Sequence, residues 1–93
     1  MMHGSIRANL EPCCHHVKRR SREDVLQRFG TTLRELRLDA RLSQEELAAK
    51  AGLDRTYVGG VERGERNIAL VNICRLAGAL DVPSSKLLAN LDK

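Results

Sequence analysis

Residues 43–67 read SQEELAAKAGLDRTYVGGVERGERN, and this stretch decides the fold. Ser43 is followed three residues later by Glu46, a capping-box pattern that marks the start of a helix. The pattern predicts a helix over residues 44–51. Gly52 ends that helix, because glycine adopts the left-handed conformation of a helix end with little strain.

A second helix is predicted directly after this one. Asp54 is placed to cap its start, and it extends over residues 55–62 with Val58 and Val61 on its inner face. Ala48 in the preceding helix is small, as a close crossing of two helices requires. Two short helices joined by a three-residue break predict a helix-turn-helix.

Apolar residues at spacings of three and four predict three further helices around this pair. One begins at Glu23, one spans about Leu70–Leu80, and a short last helix is capped by Ser84. No alternating strand pattern occurs. We therefore expect an all-α, compact five-helix domain over residues 23–93, preceded by a flexible basic N-terminal tail over residues 1–22.

The positive charge is concentrated in this tail. The chain has a net charge of +4; residues 1–22 carry five basic and one acidic side chain, whereas residues 23–93 carry equal numbers of each. A basic arm on a neutral body fits a polyanionic partner such as nucleic acid, but a solvated tail has the same composition. Both interpretations of the tail stay open.

Composition argues against several classes of function. Phe29 and Tyr57 are too few aromatics for a base-stacking platform, and no apolar run reaches the roughly 20 residues that span a bilayer, so we expect no membrane partner. Three cysteines, two of them adjacent, do not form a disulfide framework, which favours the reducing cytoplasm. Residues 13–16 (CCHH) are adjacent and cannot easily surround one zinc ion. We predict no metal site, no cofactor and no catalytic residues.

With these motifs in view, the chain resembles the phage-repressor type of helix-turn-helix protein, the Cro/cI-like or XRE family. The resemblance rests on residues 43–48 (SQEELA) and 61–67 (VERGERN), and residues 53–63 (LDRTYVGGVER) are similar to restriction–modification controller proteins. It implies a lambda-repressor-like fold and a transcriptional regulator that binds double-stranded DNA as a homodimer. It also implies a (pseudo)palindromic operator, with helix 55–62 in the major groove.

The resemblance implies roles for particular side chains. Eight residues are implied in DNA binding: Gln44, Arg55, Thr56, Tyr57, Gly60, Arg63, Arg66 and Asn67. Arg55 and Thr56 match base-reading positions, where an arginine can donate two hydrogen bonds to guanine. Gln44 matches a glutamine that binds a phosphate. Arg37 and Glu62 match a buried ion pair, which we expect to set the pose of the recognition helix.

Each of these roles has a structural alternative. Arg55 could pair with Glu62 or a phosphate instead of a base, and the Tyr57 ring could pack at the domain edge. Gly60 has no side chain to read a base, so it fits either a close approach of the backbone or ordinary tolerance of glycine. The polar residues of the turn after the recognition helix, 63–67, could simply be solvated.

A domain this small buries little surface, so dimerisation is expected. Four residues near the C-terminus exceed the needs of one core and predict the dimer surface: Val71, Cys74, Leu88 and Leu91. We predict an autoregulatory controller or repressor. An antitoxin of a toxin–antitoxin pair and a protein-interaction module of the same fold are the alternatives; the sequence does not indicate an effector.

Overall fold

The computed structural model describes residues 20–92, which form helices joined by short turns. The helices are α1 (Arg22–Asp39), α2 (Gln44–Ala51), α3 (Arg55–Glu62), α4 (Leu70–Leu80) and α5 (Ser84–Leu88), followed by a 3₁₀ turn (Ala89–Asp92). No strand occurs in this part of the chain, so the predicted all-α, five-helix fold is confirmed. None of the helices within residues 20–92 is long and apolar enough to cross a membrane.

A single aliphatic core joins all five helices. Its fully buried side chains are Leu33, Leu47, Val58, Val61, Leu76 and Leu87, and Phe29 is the one aromatic ring buried among them. The helix-turn-helix pair α2–α3 contributes Leu47, Val58 and Val61 to this core. The inner face of α3 is therefore fixed by packing, as the spacing of Val58 and Val61 predicts.

The ends of α2 follow the sequence pattern. The backbone N–H of Ser43 donates to Glu46 Oε1 at 2.8 Å, and the Glu46 N–H donates to Ser43 Oγ at 3.0 Å, which completes the predicted capping box. Gly52 has φ of 72°, and the following Leu53 N–H donates to the Ala48 carbonyl at 2.8 Å. Both predicted boundaries of the first helix of the pair are confirmed.

Two predicted caps differ in the structure. Asp54 occupies the N-cap position of α3, but its carboxylate makes no cap hydrogen bond and instead accepts from Thr56 Oγ1 at 3.0 Å. Pro83, not Ser84, is the N-cap of α5, and Ser84 is the first helical residue. Proline readily adopts the extended backbone of an N-cap, and its missing N–H costs no helical hydrogen bond at that position. It therefore occupies the position expected for serine.

The described structure includes residues that precede the predicted domain boundary at Glu23. Helix α1 starts at Arg22, and its N-cap Ser21 accepts a hydrogen bond from the Asp24 N–H at 3.0 Å. Arg20 Nε donates to the Leu91 carbonyl at 3.1 Å, and Arg28 Nη1 donates to the Asn90 carbonyl at 3.2 Å. These arginines satisfy carbonyls of the last turn and tie the start of α1 to the C-terminal end of the fold.

Helices α1 and α3 cross in close contact at Gly30. A Cβ built on Gly30 would lie 2.5 Å from the carbonyl oxygens of both Val61 and Glu62. These are backbone atoms and cannot move aside as a flexible side chain can. Glycine at this position is therefore what allows α1 to lie directly against the C-terminal end of α3.

Candidate nucleic-acid interface

The recognition helix α3 is buried along most of its length and exposed at its start. All five residues from Val58 to Glu62 are buried, whereas Arg55 and Thr56 are exposed and Tyr57 is half-buried. The predicted base-reading residues therefore lie on the part of α3 that a partner can reach.

Arg55 is free to contact a partner. Within residues 20–92 its guanidinium takes part in no ion pair, and the carboxylate that was an alternative partner, Glu62, is bonded to Arg37 instead. Thr56 already donates its hydroxyl proton to Asp54, so its oxygen remains available as an acceptor.

A buried cluster of charged and polar side chains holds the end of α3 against α1 and α2. Arg37 Nε donates to Glu62 Oε2 at 2.6 Å and Arg37 Nη2 donates to Glu62 Oε1 at 3.0 Å. The remaining Arg37 nitrogen, Nη1, donates to the Leu42 carbonyl at 2.9 Å. The two side chains are 10% and 3% exposed, so the predicted buried ion pair is confirmed.

Glu62 also connects α2 to this cluster. Gln44 Nε2 donates to Glu62 Oε1 at 2.9 Å, so one carboxylate links the first residue of α2 to α1. The hydrogen bonds to Glu62 raise the pKa of Arg37 above its ordinary value, although burial opposes the shift and the negative charge of Glu62 adds to it. The guanidinium is therefore permanently charged, and the pair links α1 to the C-terminal end of α3.

A second polar cluster lies between α3 and the start of α4. Asn72 Nδ2 donates to the Tyr57 hydroxyl at 3.2 Å, and that hydroxyl donates to the Asn67 carbonyl at 3.4 Å. The guanidinium carbon of Arg66 lies 5.9 Å from the centroid of the Tyr57 ring, within the range of a cation–π contact. Tyr57, Arg66 and Asn67 are thus brought together in one cluster.

Arg63 lies at the end of α3, where the chain turns away. It is exposed and pairs with the equally exposed Glu65 at 3.1 Å. Gly64 follows with φ of 77°, and Gln27 of α1 donates to the Arg63 carbonyl at 3.1 Å. An exposed ion pair of this kind is weak, so the guanidinium can exchange Glu65 for another anion.

Gly60 is buried and offers no surface of its own. A Cβ built on it would lie 2.6 Å from Cγ of Arg66, whose side chain covers it. Of the eight residues implied in DNA binding, seven are at least partly exposed and Gly60 is the exception.

Sequence reasoning missed three residues that shape this surface: Gly30, Gln27 and Asn72. Gly30 lies inside an otherwise regular helical pattern, and a glycine there was the one available signal of a close helix crossing. Gln27 and Asn72 are polar residues on helices whose contacts depend on tertiary packing. Nothing in their local sequence indicates these partners.

A metal centre is not part of this surface. Among residues 20–92, no group of three or more histidine, cysteine, aspartate or glutamate side chains is placed to hold an ion. The sequence 13–16 (CCHH) and most of the basic tail lie outside the described residues.

The fold and the helix-turn-helix define a class of protein, and comparison with known families agrees. The HTH_3 helix-turn-helix family model matches residues 33–87, more than half of the chain. This chain belongs to that family, and the resemblance drawn from residues 43–67 is confirmed.

Individual relatives are control proteins, and two of them are restriction-modification controller proteins. Control protein C.MunI of a Mycoplasma species is 41% identical over 71 residues, which cover 75% of this chain and 96% of that protein. The crystal structure of the restriction-modification controller protein C.AhdI from Aeromonas hydrophila is 61% identical with a TM-score of 0.66, over 67% of this chain and 94% of that one.

A third relative has been solved with DNA. The restriction-modification controller protein C.Esp1396I, as a tetramer in complex with its natural 35 base-pair operator, is 31% identical to this chain with a TM-score of 0.64. The match covers 70% of this chain and 86% of that one.

Proposed function

We propose that this protein is a sequence-specific transcriptional regulator that binds double-stranded DNA as a homodimer on a (pseudo)palindromic operator. The observation that carries the proposal is that α3 is packed against the domain at its C-terminal end and exposed at its start. Its buried residues and the Arg37–Glu62 pair fix its orientation, while Arg55 and Thr56 project from its exposed start. A helix held in this way can enter the major groove without reorganising.

Base reading falls to Arg55 and Thr56. The Arg55 guanidinium forms no ion pair with a carboxylate of residues 20–92 and can donate two parallel hydrogen bonds to O6 and N7 of a guanine. Thr56 offers one hydroxyl and fewer contacts. Arg55 therefore supplies most of the sequence preference, and Thr56 adds to it.

The remaining side chains contact the DNA backbone. Gln44 gives one amide hydrogen to Glu62 and keeps the second for a phosphate. Arg63, Arg66 and Asn67 lie beyond the end of α3, and their exposed donors suit the phosphates that flank the groove. These contacts set the register of the protein on the duplex without reading its sequence.

The homodimer forms through the C-terminal helices. Val71 is 61% exposed on α4 and Cys74 on the same helix is exposed, which leaves an apolar surface that a two-fold-related copy can cover. Leu88 and Leu91 pack partly on the core of their own domain, so they contribute only their exposed edges. Two α3 helices related by this symmetry would read half-sites about 34 Å apart.

The biological role that fits these properties is an autoregulatory controller of a restriction–modification system, acting in the cytoplasm. The support is the similarity to C.MunI, C.AhdI and C.Esp1396I, the last of which was solved on its natural operator. A regulator of this type acts on DNA upstream of its own gene, so that DNA is where the operator should be sought.

A footprint on the DNA upstream of the gene first locates the operator. The experiment then compares the DNA affinity of Arg55→Ala and Thr56→Ala with that of the wild type, on an operator duplex and on a random duplex. Arg55→Ala should cost about 1–3 kcal/mol of affinity for the operator and much less on random DNA, because it removes a bidentate base contact. Thr56→Ala should act in the same direction with a smaller loss.

Arg34→Ala is the matched control, because it removes an exposed arginine of α1 and the same charge. It should lower binding to both duplexes slightly and equally. Equal losses on both duplexes for Arg55→Ala would mean that Arg55 binds a phosphate and that α3 does not read bases as proposed.

A further inference from the structure

Gly60 is buried in α3, and the three atoms nearest to the position of a Cβ there all belong to one charged side chain. A Cβ built on Gly60 would lie 2.6 Å from Arg66 Cγ, 3.6 Å from Arg66 Nε and 3.7 Å from Arg66 Cβ. Non-bonded carbon atoms are in contact at about 3.5–4.0 Å and repel each other strongly at 2.6 Å. Any side chain at position 60 would therefore displace the aliphatic part of Arg66.

The displaced atom is not the mobile end of the side chain. Cγ lies close to the backbone of Arg66, so relief of the clash requires rotation about the first side-chain bonds, which moves the guanidinium as well. Glycine also weakens a helix interior relative to alanine. Its presence here is explained by the space that Arg66 occupies.

The other end of Arg66 is held by Tyr57. The guanidinium carbon lies 5.9 Å from the centre of the Tyr57 ring. The ring is itself fixed, because the Tyr57 hydroxyl accepts from Asn72 and donates to the Asn67 carbonyl.

We propose that Gly60 is a positioning residue: its missing side chain leaves the space in which Arg66 lies, and this holds the guanidinium beside Tyr57, ready for a DNA backbone phosphate. The phosphate partner rests on the proposed function, whereas the placement of Arg66 over Gly60 does not. A side chain fixed in advance loses less conformational freedom on binding. Gly60 therefore raises the affinity for every duplex equally, without reading a base.

The test is a double-mutant cycle of Gly60→Ala, Arg66→Ala and the double variant, with binding measured on operator and random duplexes over a salt series. Gly60→Ala should weaken binding to both duplexes by about threefold to tenfold, the order of one immobilised flexible side chain. Arg66→Ala should weaken it further and reduce the salt slope by about one per protomer, because one phosphate contact is lost. The double variant should bind like Arg66→Ala alone.

Gly78→Ala is the matched control. Gly78 lies in α4, and a Cβ built on it meets nothing within 4 Å. It follows Val71 by seven residues and lies on the proposed dimer surface, so sedimentation is measured first to show that Gly78→Ala has the wild-type oligomeric state. Both glycine variants gain the helix preference of alanine, so their melting temperatures should stay at or above the wild-type value. Gly60→Ala alone should lose affinity, which separates a positioning role from a structural one. Additive losses in the cycle, or unchanged affinity of Gly60→Ala, would overturn the proposal.

A measurement on the DNA-free protein separates this proposal from the proposed function. The Tyr57 ring should shift the NMR signals of the Arg66 side-chain protons, and this shift should disappear in Gly60→Ala and persist in Gly78→Ala. If it disappears as expected but the wild type shows no operator preference, the proposed function is wrong and the positioning role stands. If the shift persists in Gly60→Ala, the positioning role is wrong, whatever the DNA data show.

Discussion

Removal of the Glu62 carboxylate should destabilise the whole domain, because it leaves a buried guanidinium without its charge partner. In Glu62→Ala, Arg37 loses the hydrogen bonds of 2.6 and 3.0 Å and keeps only the Leu42 carbonyl at 2.9 Å. Gln44 loses its partner at the same time. The change therefore removes the hydrogen bonds of the Glu62 side chain that link the end of α3 to α1 and α2.

The expected magnitude follows from the burial of the pair. The breaking of a buried ion pair by removal of one partner costs about 3–5 kcal/mol. The Arg37 side chain is 10% exposed and retains one acceptor, so we expect the lower end of that range, about 3 kcal/mol. In a domain of this size, each kcal/mol of lost stability lowers the melting temperature by about 4–8 °C. A loss of about 3 kcal/mol should therefore lower it by roughly 12–24 °C.

Thermal unfolding followed by circular dichroism measures this loss, at one fixed protein concentration because a dimer melts in a concentration-dependent way. Glu35→Ala, an exposed carboxylate of α1, is the control and should change stability by no more than about 0.5 kcal/mol. Glu62→Gln keeps the shape but places an N–H group against a donor, so it should lie between the wild type and Glu62→Ala.

The loss should not depend on pH in the neutral and mildly alkaline range. The pKa of Arg37 is raised in the folded state, so its stabilising contribution is complete below the ordinary pKa and lost only as the pH rises through the higher folded-state pKa. Both lie far above neutrality, and the difference between wild type and Glu62→Ala should be constant from about pH 7 to about pH 9. Unchanged melting with a selective loss of DNA binding would refute the reasoning and place Glu62 at the DNA.

Three further predictions concern other parts of the chain. Deletion of residues 1–19 retains Arg20, which donates to the Leu91 carbonyl. It should lower affinity for operator and random duplex equally and make the affinity less dependent on salt concentration. An unchanged affinity would mean that the tail does not touch DNA. Gly30→Ala drives a Cβ against two backbone carbonyls and should cost about 1–3 kcal/mol in a denaturant melt, where Gly78→Ala costs nothing. Val71→Glu should shift sedimentation towards the monomer without loss of helicity, and a persistent dimer would place the interface elsewhere.

Most of the fold could be predicted because its signals are local. The capping box at Ser43, the left-handed Gly52 and the apolar spacing of Val58 and Val61 each act within one helical turn of the residue concerned. The members of the Arg37–Glu62 pair are 25 positions apart and have no local signal, so the prediction of this pair came from the family resemblance.

Most of the features that were missed depend on contacts between distant parts of the chain, whereas the caps of α3 and α5 differ for local reasons. Arg20 belongs by composition to the basic tail, yet it bonds the carbonyl of Leu91 across 71 residues of sequence. Gly30 faces the end of α3, and no property of its neighbours in sequence indicates how closely another helix approaches. Asp54 was a sound cap by residue type, but Thr56 two residues later competes for its carboxylate.

The DNA-binding roles of individual residues stay predictions. The structure places Arg55 and Thr56 where a partner can reach them and places Gly60 beneath Arg66. Exposure is necessary for a contact but does not identify the base or phosphate contacted. The operator titrations described above decide that point for Arg55, Thr56 and Arg66.

The division of α3 into a buried end and an exposed start has a consequence for how such regulators diverge. Orientation depends on positions 58–62 and on Gly30, whereas base preference would depend on positions 55 and 56. Substitutions at the two exposed positions should therefore retarget the protein to a new operator without a compensating change in its interior. Two copies of the gene in one cell could separate their regulatory circuits by changing these two codons while sharing one unchanged scaffold.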